Sequence, residues 1–317
     1  MTFQEAEKSF IKQLEPLYKS DEAKDLAFYA IQNVCGISKP QLIINKEKEI
    51  SAADLLLLEK IIAELKTGKP VQYIIGETEF YGLRFKVTPS VLIPRPETEE
   101  LVYWILENSK FKIQNSKNST HTFHSSDFRT QSSRLQTQDS KPQTPNSNIL
   151  DIGTGSGCIA IALKKYFPGS EVYGMDISAK ALEVARTNAI LNNISVKFIE
   201  QNILTAPVHN RKYSIIVSNP PYITIAEKQQ MHINVLNYEP HQALFVPDND
   251  PLLFYNSIAD FAKSHLTKNG FLFLEINATW SLQMIALLDN KGFSAIKLRK
   301  DLQGKDRMIQ AQLHELT

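Results

Sequence analysis

From residue 149 onward short apolar runs alternate with helical stretches, and that alternation leaves the chain few folds to choose from. The runs cover 149–152, 171–175, 196–199, 214–217 and 271–276, with helical spacing over 159–167 and 179–191 between the first three. Near-continuous apolar strands separated by helices predict an α/β fold, a parallel sheet covered on both faces. Two final runs, 295–298 and 308–313, are joined by a polar turn at 301–306. No internal repeat is present.

The N-terminal part is different. Phe3, Ala6, Phe10, Leu14 and Leu17 recur at the three- and four-residue spacing of one helix face. A second helix is expected over 23–34, stopped by Gly36, and a third over 52–65, capped by Ser51 and ended by Gly68-Lys69-Pro70. Together they predict a small helical bundle. Residues 80–87, Phe-Tyr-Gly-Leu-Arg-Phe-Lys-Val, read as a short hairpin with Gly82 in its turn. Pro89, Pro94 and Pro96 then hold the chain extended before a helix over 97–106.

Residues 108–147 are crowded with Ser, Thr, Asn and Gln and contain no Gly, Val, Ala or Met. Such a composition buries too little apolar area to offset the entropy of ordering, so a disordered surface insertion is expected. Deleting most of it behind a short Gly-Ser linker should leave folding and catalysis intact. An insoluble product, or one without a cooperative melt, would mark the segment as a structural element instead.

With 35 Lys and Arg against 34 Asp and Glu, the net charge of +1 excludes binding to nucleic acid through a whole-chain basic field. Two cysteines, Cys35 and Cys158, are too few for a disulfide framework or a four-cysteine zinc site, and the seven histidines are scattered, so no metal is expected. Neither a signal peptide nor a run of about 18 apolar residues is read, which makes the cytoplasm the default compartment.

The first strand runs into Asp151-Ile152-Gly153-Thr154-Gly155-Ser156-Gly157. A glycine-rich turn between strand and helix lets a ligand approach the backbone, because no Cβ blocks it. The second strand ends in Met175-Asp176, where a carboxylate can accept from both ribose hydroxyls of an adenosine-containing ligand. The turn alone does not separate S-adenosylmethionine from NAD, although G-x-G-x-G leaves a wider bend than the dinucleotide G-x-G-x-x-G. Cys158, just after the turn, reads as a small buried residue.

The fourth strand is followed by Asn219-Pro220-Pro221-Tyr222. By strand count it ends beside the first strand, at the crevice where open α/β sheets bind ligands. Two prolines remove two backbone donors, so the loop presents acceptors: the Asn219 side-chain oxygen and the Pro220 carbonyl. Two such acceptors can hold both hydrogens of a planar –NH2 group and aim its nitrogen at an electrophile, with Tyr222 offering an aromatic face. Carbonyl oxygens so placed also favour the positive charge that grows on nitrogen during attack.

Taken together, Asp151 to Gly157, Asp176 and Asn219 to Tyr222 resemble the motifs of class I S-adenosylmethionine-dependent methyltransferases that act on planar amino groups. Four further blocks narrow the likeness to the release-factor glutamine methyltransferases. They are Gly68-Lys69-Pro70-Val71-Gln72-Tyr73-Ile74-Ile75-Gly76, Phe80-Tyr81-Gly82, Leu92-Ile93-Pro94-Arg95-Pro96-Glu97-Thr98-Glu99 and Lys300-Asp301-Leu302-Gln303-Gly304-Lys305-Asp306-Arg307. The resemblance implies a Rossmann-like domain over 94–317 with a mostly parallel seven-stranded sheet, interrupted by the 108–147 insertion. It also implies a helical domain over 1–75 that docks the release factor, and a β-hairpin linker over 76–93. The implied reaction is methylation of the Gly-Gly-Gln glutamine of class I peptide-chain release factors by a monomer, with S-adenosyl-L-methionine as cofactor and neither nucleic acid nor membrane required. Carried over by motif, Gly153, Thr154, Gly155, Ser156, Gly157, Asp176, Asn202 and Asn219 would hold the cofactor. Asn219, Pro220, Pro221 and Tyr222 would form the glutamine pocket, with Asn219, Pro220 and Tyr222 serving the chemistry.

Two positions depart from the family pattern. Asn202 stands where an acidic residue often meets the adenine amino group, and Asn277 where Gly is common. The rival readings are a glutamine methyltransferase of a ribosomal protein, whose motif reads Pro-Arg-Ser-Pro rather than Pro-Arg-Pro-Glu, and a nucleic-acid amino methyltransferase, which must flip a base. A non-catalytic module descended from the enzyme would have lost a turn glycine, Asp176 or Asn219, and all are present.

Overall fold

A computed structural model describes residues 1–114, 147–206 and 210–313, from 109 to 114 by backbone alone. The chain divides into two compact units: Met1–Glu77 with Gln230–Glu239, and Thr78–Gln229 with Pro240–Thr317.

The first unit is helical: α1 (Phe3–Leu14), α2 (Ser20–Cys35), α3 (Lys39–Ile44), α4 (Ala52–Leu65) and α5 (Val71–Ile75). Thr2 and Glu5 form a reciprocal capping box on α1, and Gly36, at φ 65°, closes α2. Phe3, Phe10, Leu14, Ile31, Leu58, Ile62 and Leu65 share one core, into which Tyr18 sends its hydroxyl to the Leu65 carbonyl at 2.8 Å. A later segment completes this unit. Its short helix (Ile233–Tyr238) brings the Tyr238 hydroxyl to 2.9 Å from Thr67 Oγ1. Sequence periodicity could not assign these ten residues to a bundle 150 positions upstream.

The second unit opens with a hairpin, β1 (Glu77–Phe80) and β2 (Leu83–Lys86), turned by Tyr81 and Gly82 at φ 51° and 69°. It packs into a core with α6 (Pro96–Gln114) through Phe80, Leu83 and Phe85. The helix runs past Leu106, where the sequence reading ended it, and along it the Asn108 side chain donates to the Trp104 carbonyl at 3.0 Å. The disorder expected within 108–147 concerns, from 115 to 146, residues outside those described.

Then come β3 (Asn148–Ile152), α7 (Cys158–Tyr166), β4 (Glu171–Asp176), α8 (Ala179–Leu191), β5 (Lys197–Glu200) and β6 (Tyr213–Ser218). After a two-residue pair, β7 (Ile223–Thr224) and β8 (Phe245–Val246), and the helix at Ile233–Tyr238, which is α9, the chain forms α10 (Leu253–His265) and β9 (Leu266–Glu275). It closes with α11 (Ser281–Asn290), β10 (Phe293–Lys300) and β11 (Asp306–Leu313). The main sheet has seven strands in the order β10-β11-β9-β6-β3-β4-β5. The pairs β9–β6, β6–β3, β3–β4 and β4–β5 are parallel, and β11 is antiparallel to both neighbours. This is the expected α/β architecture, with one apolar cluster built on α6 and α7 and another on α10 and α11. Among the described residues no helix is long and apolar enough to cross a membrane.

Candidate active site

Parallel register brings the strand ends together. Ile152 pairs with Met175 and Ser218, Asp176 with Glu200, and Ser218 with Leu274. The next residue in each chain therefore emerges along one edge, where Gly153, Asp176, Asn219 and Glu275 gather. A cavity of about 340 Å³ opens there, lined by Gly153, Thr154, Gly155, Ser156, Asp176, Asn202, Asn219, Pro220 and Pro221, with Thr98 from α6.

The glycine turn is held by backbone bonds from Gly153 and Thr154 to the Met175 carbonyl, at 2.8 and 2.9 Å. The Gly155 N–H donates to Asp176 Oδ2 at 2.8 Å, while Asp176 Oδ1 accepts from the Ser178 N–H at 2.9 Å. Each carboxylate oxygen keeps a lone pair for a further donor. Burial pushes the Asp176 pKa above its ordinary value, against the pull of those backbone donors. A Cβ on Gly153 would meet no protein atom within 4 Å, so the space beside the turn is open to a ligand. Gly157 does another job. At φ 82° its missing Cβ would lie 3.1 Å from Ile161 Cδ1 and 3.2 Å from Ala185 Cβ, so glycine lets α7 close on α8.

Under the turn lies Asp151, wholly buried, whose Oδ2 accepts from the Thr154 hydroxyl at 2.6 Å and the Ala160 N–H at 3.3 Å. Its Oδ1 is buried without a hydrogen-bond partner. Cys158 is also buried, and burial pushes its thiol up to about 12, so the helix N-terminus does not activate it.

On the other side, Asn219 Nδ2 donates to Thr98 Oγ1 at 3.1 Å. The Thr98 hydroxyl donates to Glu275 Oε2 at 2.7 Å, and the Tyr222 hydroxyl donates to Glu275 Oε1 at 3.1 Å. Arg307 Nη1 reaches the Tyr222 hydroxyl at 3.4 Å, and its Nε donates to the buried Asp301 at 3.1 Å. Burial raises the Glu275 pKa, opposed by the Thr98 hydrogen bond and the Arg307 charge. Asn277 donates to both oxygens of Glu227, which in turn accepts from Thr224, fixing the chain after Tyr222.

Of the residues given a cofactor or substrate role from sequence, all but Gly157 and Tyr222 line the cavity, while Asp151 lies beneath it. Tyr222 turns its hydroxyl to Glu275 behind the loop, and Asn202 uses its side-chain oxygen to cap a short 3₁₀ turn through the Leu204 N–H at 2.9 Å. Sequence reasoning gave no role to Thr98, Glu275 or Gly174. A Cβ on Gly174 would come within 2.9 Å of Thr154 Oγ1 and the Phe198 ring, so the turn can lie on β4 only over glycine. Among the described residues no group of three His, Cys, Asp or Glu could hold a metal ion.

Comparison with known proteins gives the family. The family described as Methyltransferase small domain matches residues 122–244, and the PrmC N-terminal domain matches 5–76. A release factor glutamine methyltransferase of Flavobacterium psychrophilum is 41% identical over 300 residues, covering 95% of both chains. The chain belongs to the release factor glutamine methyltransferase family. Another member, from Bacteroides thetaiotaomicron, is 37% identical, with 96% of this chain and 98% of that one covered. A bifunctional methyltransferase of Rickettsia bellii is 37% identical over 286 residues, which make up 50% of its length. In this family member the Pro-Arg-Pro-Glu-Thr-Glu, Asn-Pro-Pro-Tyr and Asp301–Arg307 blocks thus converge on one carboxylate, Glu275, through the bonds above.

Proposed function

We propose that this protein transfers a methyl group from S-adenosyl-L-methionine to the side-chain amide nitrogen of the glutamine in the Gly-Gly-Gln motif of class I peptide-chain release factors. The reading rests on one observation above all: Asn219 and Pro220 line the same cavity as the glycine turn and Asp176. Family membership at 41% identity over 95% of a named relative adds to it.

The residues present fit the cofactor. Asp176 offers lone pairs to ribose hydroxyls, the open side of Gly153 and Gly155 leaves room for the methionine portion, and the unpartnered Asp151 oxygen shows a polar site beneath the turn. Thr154, Ser156 and Asn202 complete that wall. When bound, S-adenosylmethionine supplies an electrophilic methyl on sulfur. Asn219 Oδ1 and the Pro220 carbonyl accept the two hydrogens of the glutamine –NH2 and hold its nitrogen in line. An amide nitrogen is a poor nucleophile, so alignment carries much of the work; such positioning is worth roughly 7–11 kcal/mol in favourable cases. The proton leaves after transfer, and no strong base is required. Pro221 narrows the pocket, and Tyr222 anchors the loop to Glu275 and Arg307. The N-terminal helical unit docks the release factor, and the enzyme works as a cytoplasmic monomer without nucleic acid or membrane.

Mass spectrometry of a class I release factor incubated with the protein and S-adenosylmethionine tests the reading directly. One added CH2 on the Gly-Gly-Gln glutamine is expected. An unmodified release factor, with methylation instead on a ribosomal protein or nucleic acid, would overturn it.

A narrower expectation concerns Asp176. Asp176→Ala should weaken S-adenosylmethionine binding by about 1–3 kcal/mol, the range for a lost charge-assisted hydrogen bond. Isothermal calorimetry showing unchanged affinity would remove Asp176 from the cofactor site.

A further inference from the structure

We infer that Thr98, with its hydroxyl committed to Glu275, sets which way the Asn219 amide faces and so makes its oxygen, not its nitrogen, the group presented to the substrate amide. Thr98 is thereby a positioning residue acting through Asn219. The inference rests on the function proposed above for the direction of the incoming –NH2, but not for the orientation itself.

The two ends of an asparagine amide have nearly the same shape, so packing alone cannot choose between them; the hydrogen-bond network must. Glu275 is 2% exposed, and both its oxygens accept, one from Thr98 and one from Tyr222. A threonine hydroxyl has a single hydrogen. Once that hydrogen is spent on Glu275 at 2.7 Å, Thr98 Oγ1 has only lone pairs left for Asn219. The Asn219 nitrogen therefore faces Thr98, at 3.1 Å, and Oδ1 faces away. With the amide reversed, oxygen would oppose oxygen at Thr98, and an N–H would confront the N–H of the incoming glutamine. Neither contact is a hydrogen bond, and the nitrogen to be methylated would lose one of its two guides.

The fold builds this chain of bonds from three distant segments. Thr98 stands in the first turn of α6, Asn219 follows β6, and Glu275 ends β9. The pairing of Ser218 with Leu274 brings the last two side by side. Thr98 itself is 3% exposed and lines the cavity, so its hydroxyl is fixed rather than traded with solvent.

Thr98→Val keeps the shape and removes the hydroxyl, while Thr98→Ser keeps the hydroxyl and removes a methyl. In release-factor methylation, Thr98→Val should lower kcat by about 10-fold or more, with KM for the release factor within about 2-fold of wild type, since the lost guidance acts on alignment. Thr98→Ser should restore kcat to within about 3-fold of wild type. Neutron diffraction of the deuterium-exchanged wild-type crystal gives a readout independent of activity. It should show both Asn219 Nδ2 deuterons, one directed at Thr98 Oγ1, and the Thr98 deuteron on the line to Glu275. A map with Asn219 oxygen toward Thr98 overturns the inference, as does a Thr98→Val enzyme with wild-type kcat, or a Thr98→Ser enzyme as impaired as Thr98→Val. A wild-type enzyme that leaves the release factor unmethylated would overturn the proposed function instead, and the neutron map would still decide the orientation.

Discussion

Asn219→Ala should lower kcat for release-factor methylation by about 10²-fold or more, the usual consequence of removing one preorganised electrostatic contact. The lost contact aligns nitrogen with the methyl and strengthens as nitrogen gains charge, so the loss falls on turnover more than on KM. Asn219→Asp separates two accounts of the same residue. On sequence alone the aspartate keeps an acceptor and should retain more activity than the alanine. The structure reverses that expectation. One carboxylate oxygen would replace the nitrogen that now donates to Thr98 at 3.1 Å, facing a hydroxyl already spent on Glu275. A second anion would then stand beside the buried Glu275, with no hydrogen to bridge them. Asn219→Asp should accordingly be no more active than Asn219→Ala. Steady-state kinetics on both variants decide it: near-wild-type turnover in Ala sinks the role of Asn219, and clear recovery in Asp sinks the account of its orientation.

How much of this was legible beforehand follows from the range over which each signal acts. The alternation after residue 149 and the turn from Asp151 to Gly157 are local patterns, and strand and helix periods report them faithfully. The strand ends at Asp176 and Asn219 follow from counting. Thr98 and Glu275 are 177 positions apart, joined only by sheet register and the start of α6, and no local pattern announces such a pair. Glu275 could have been suspected as a lone carboxylate closing an apolar strand, a place that needs partners. Gly174 was hidden for a different reason: a glycine within a strand reads as a weak point until the turn lying on it is seen. The segment Gln230–Glu239 joins the N-terminal unit because Tyr238 finds Thr67, a contact between side chains that carry no shared periodicity. Tyr222 was expected to show its ring to the substrate; the sequence did not announce that its hydroxyl also ties the loop to Glu275, a contact set by distant sheet register.

Asp151 should make the protein lose stability as pH rises from about 4 to about 7, and Asp151→Asn should abolish that loss. Burial holds the Asp151 carboxyl far above its ordinary 3.8, up to about 7, with only Thr154 and Ala160 pulling it down. Between these values the unfolded chain has released the proton and the native protein still holds it. Stability from this group is therefore complete below the unfolded pKa and is lost as pH climbs through the folded one. The loss is on the order of 4 kcal/mol by pH 8. Asparagine copies the neutral acid: its oxygen can take the Thr154 hydroxyl and the Ala160 N–H, leaving the same side of the group unpartnered as in Asp151. The two proteins should melt together near pH 3, below the unfolded pKa, and the variant should melt progressively higher from about pH 4 to pH 8, as folding wild type must first take up a proton and then bury a charge. Asp176 and Glu275 also carry raised pKa values, and Asp176 repels the Asp151 charge, so the difference between the curves reads Asp151 together with its coupling to Asp176. Thermal melts of wild type and Asp151→Asn across this range supply the test. Parallel curves, or a variant that falls below wild type at high pH, would mean that Asp151 is ionised in the native protein throughout.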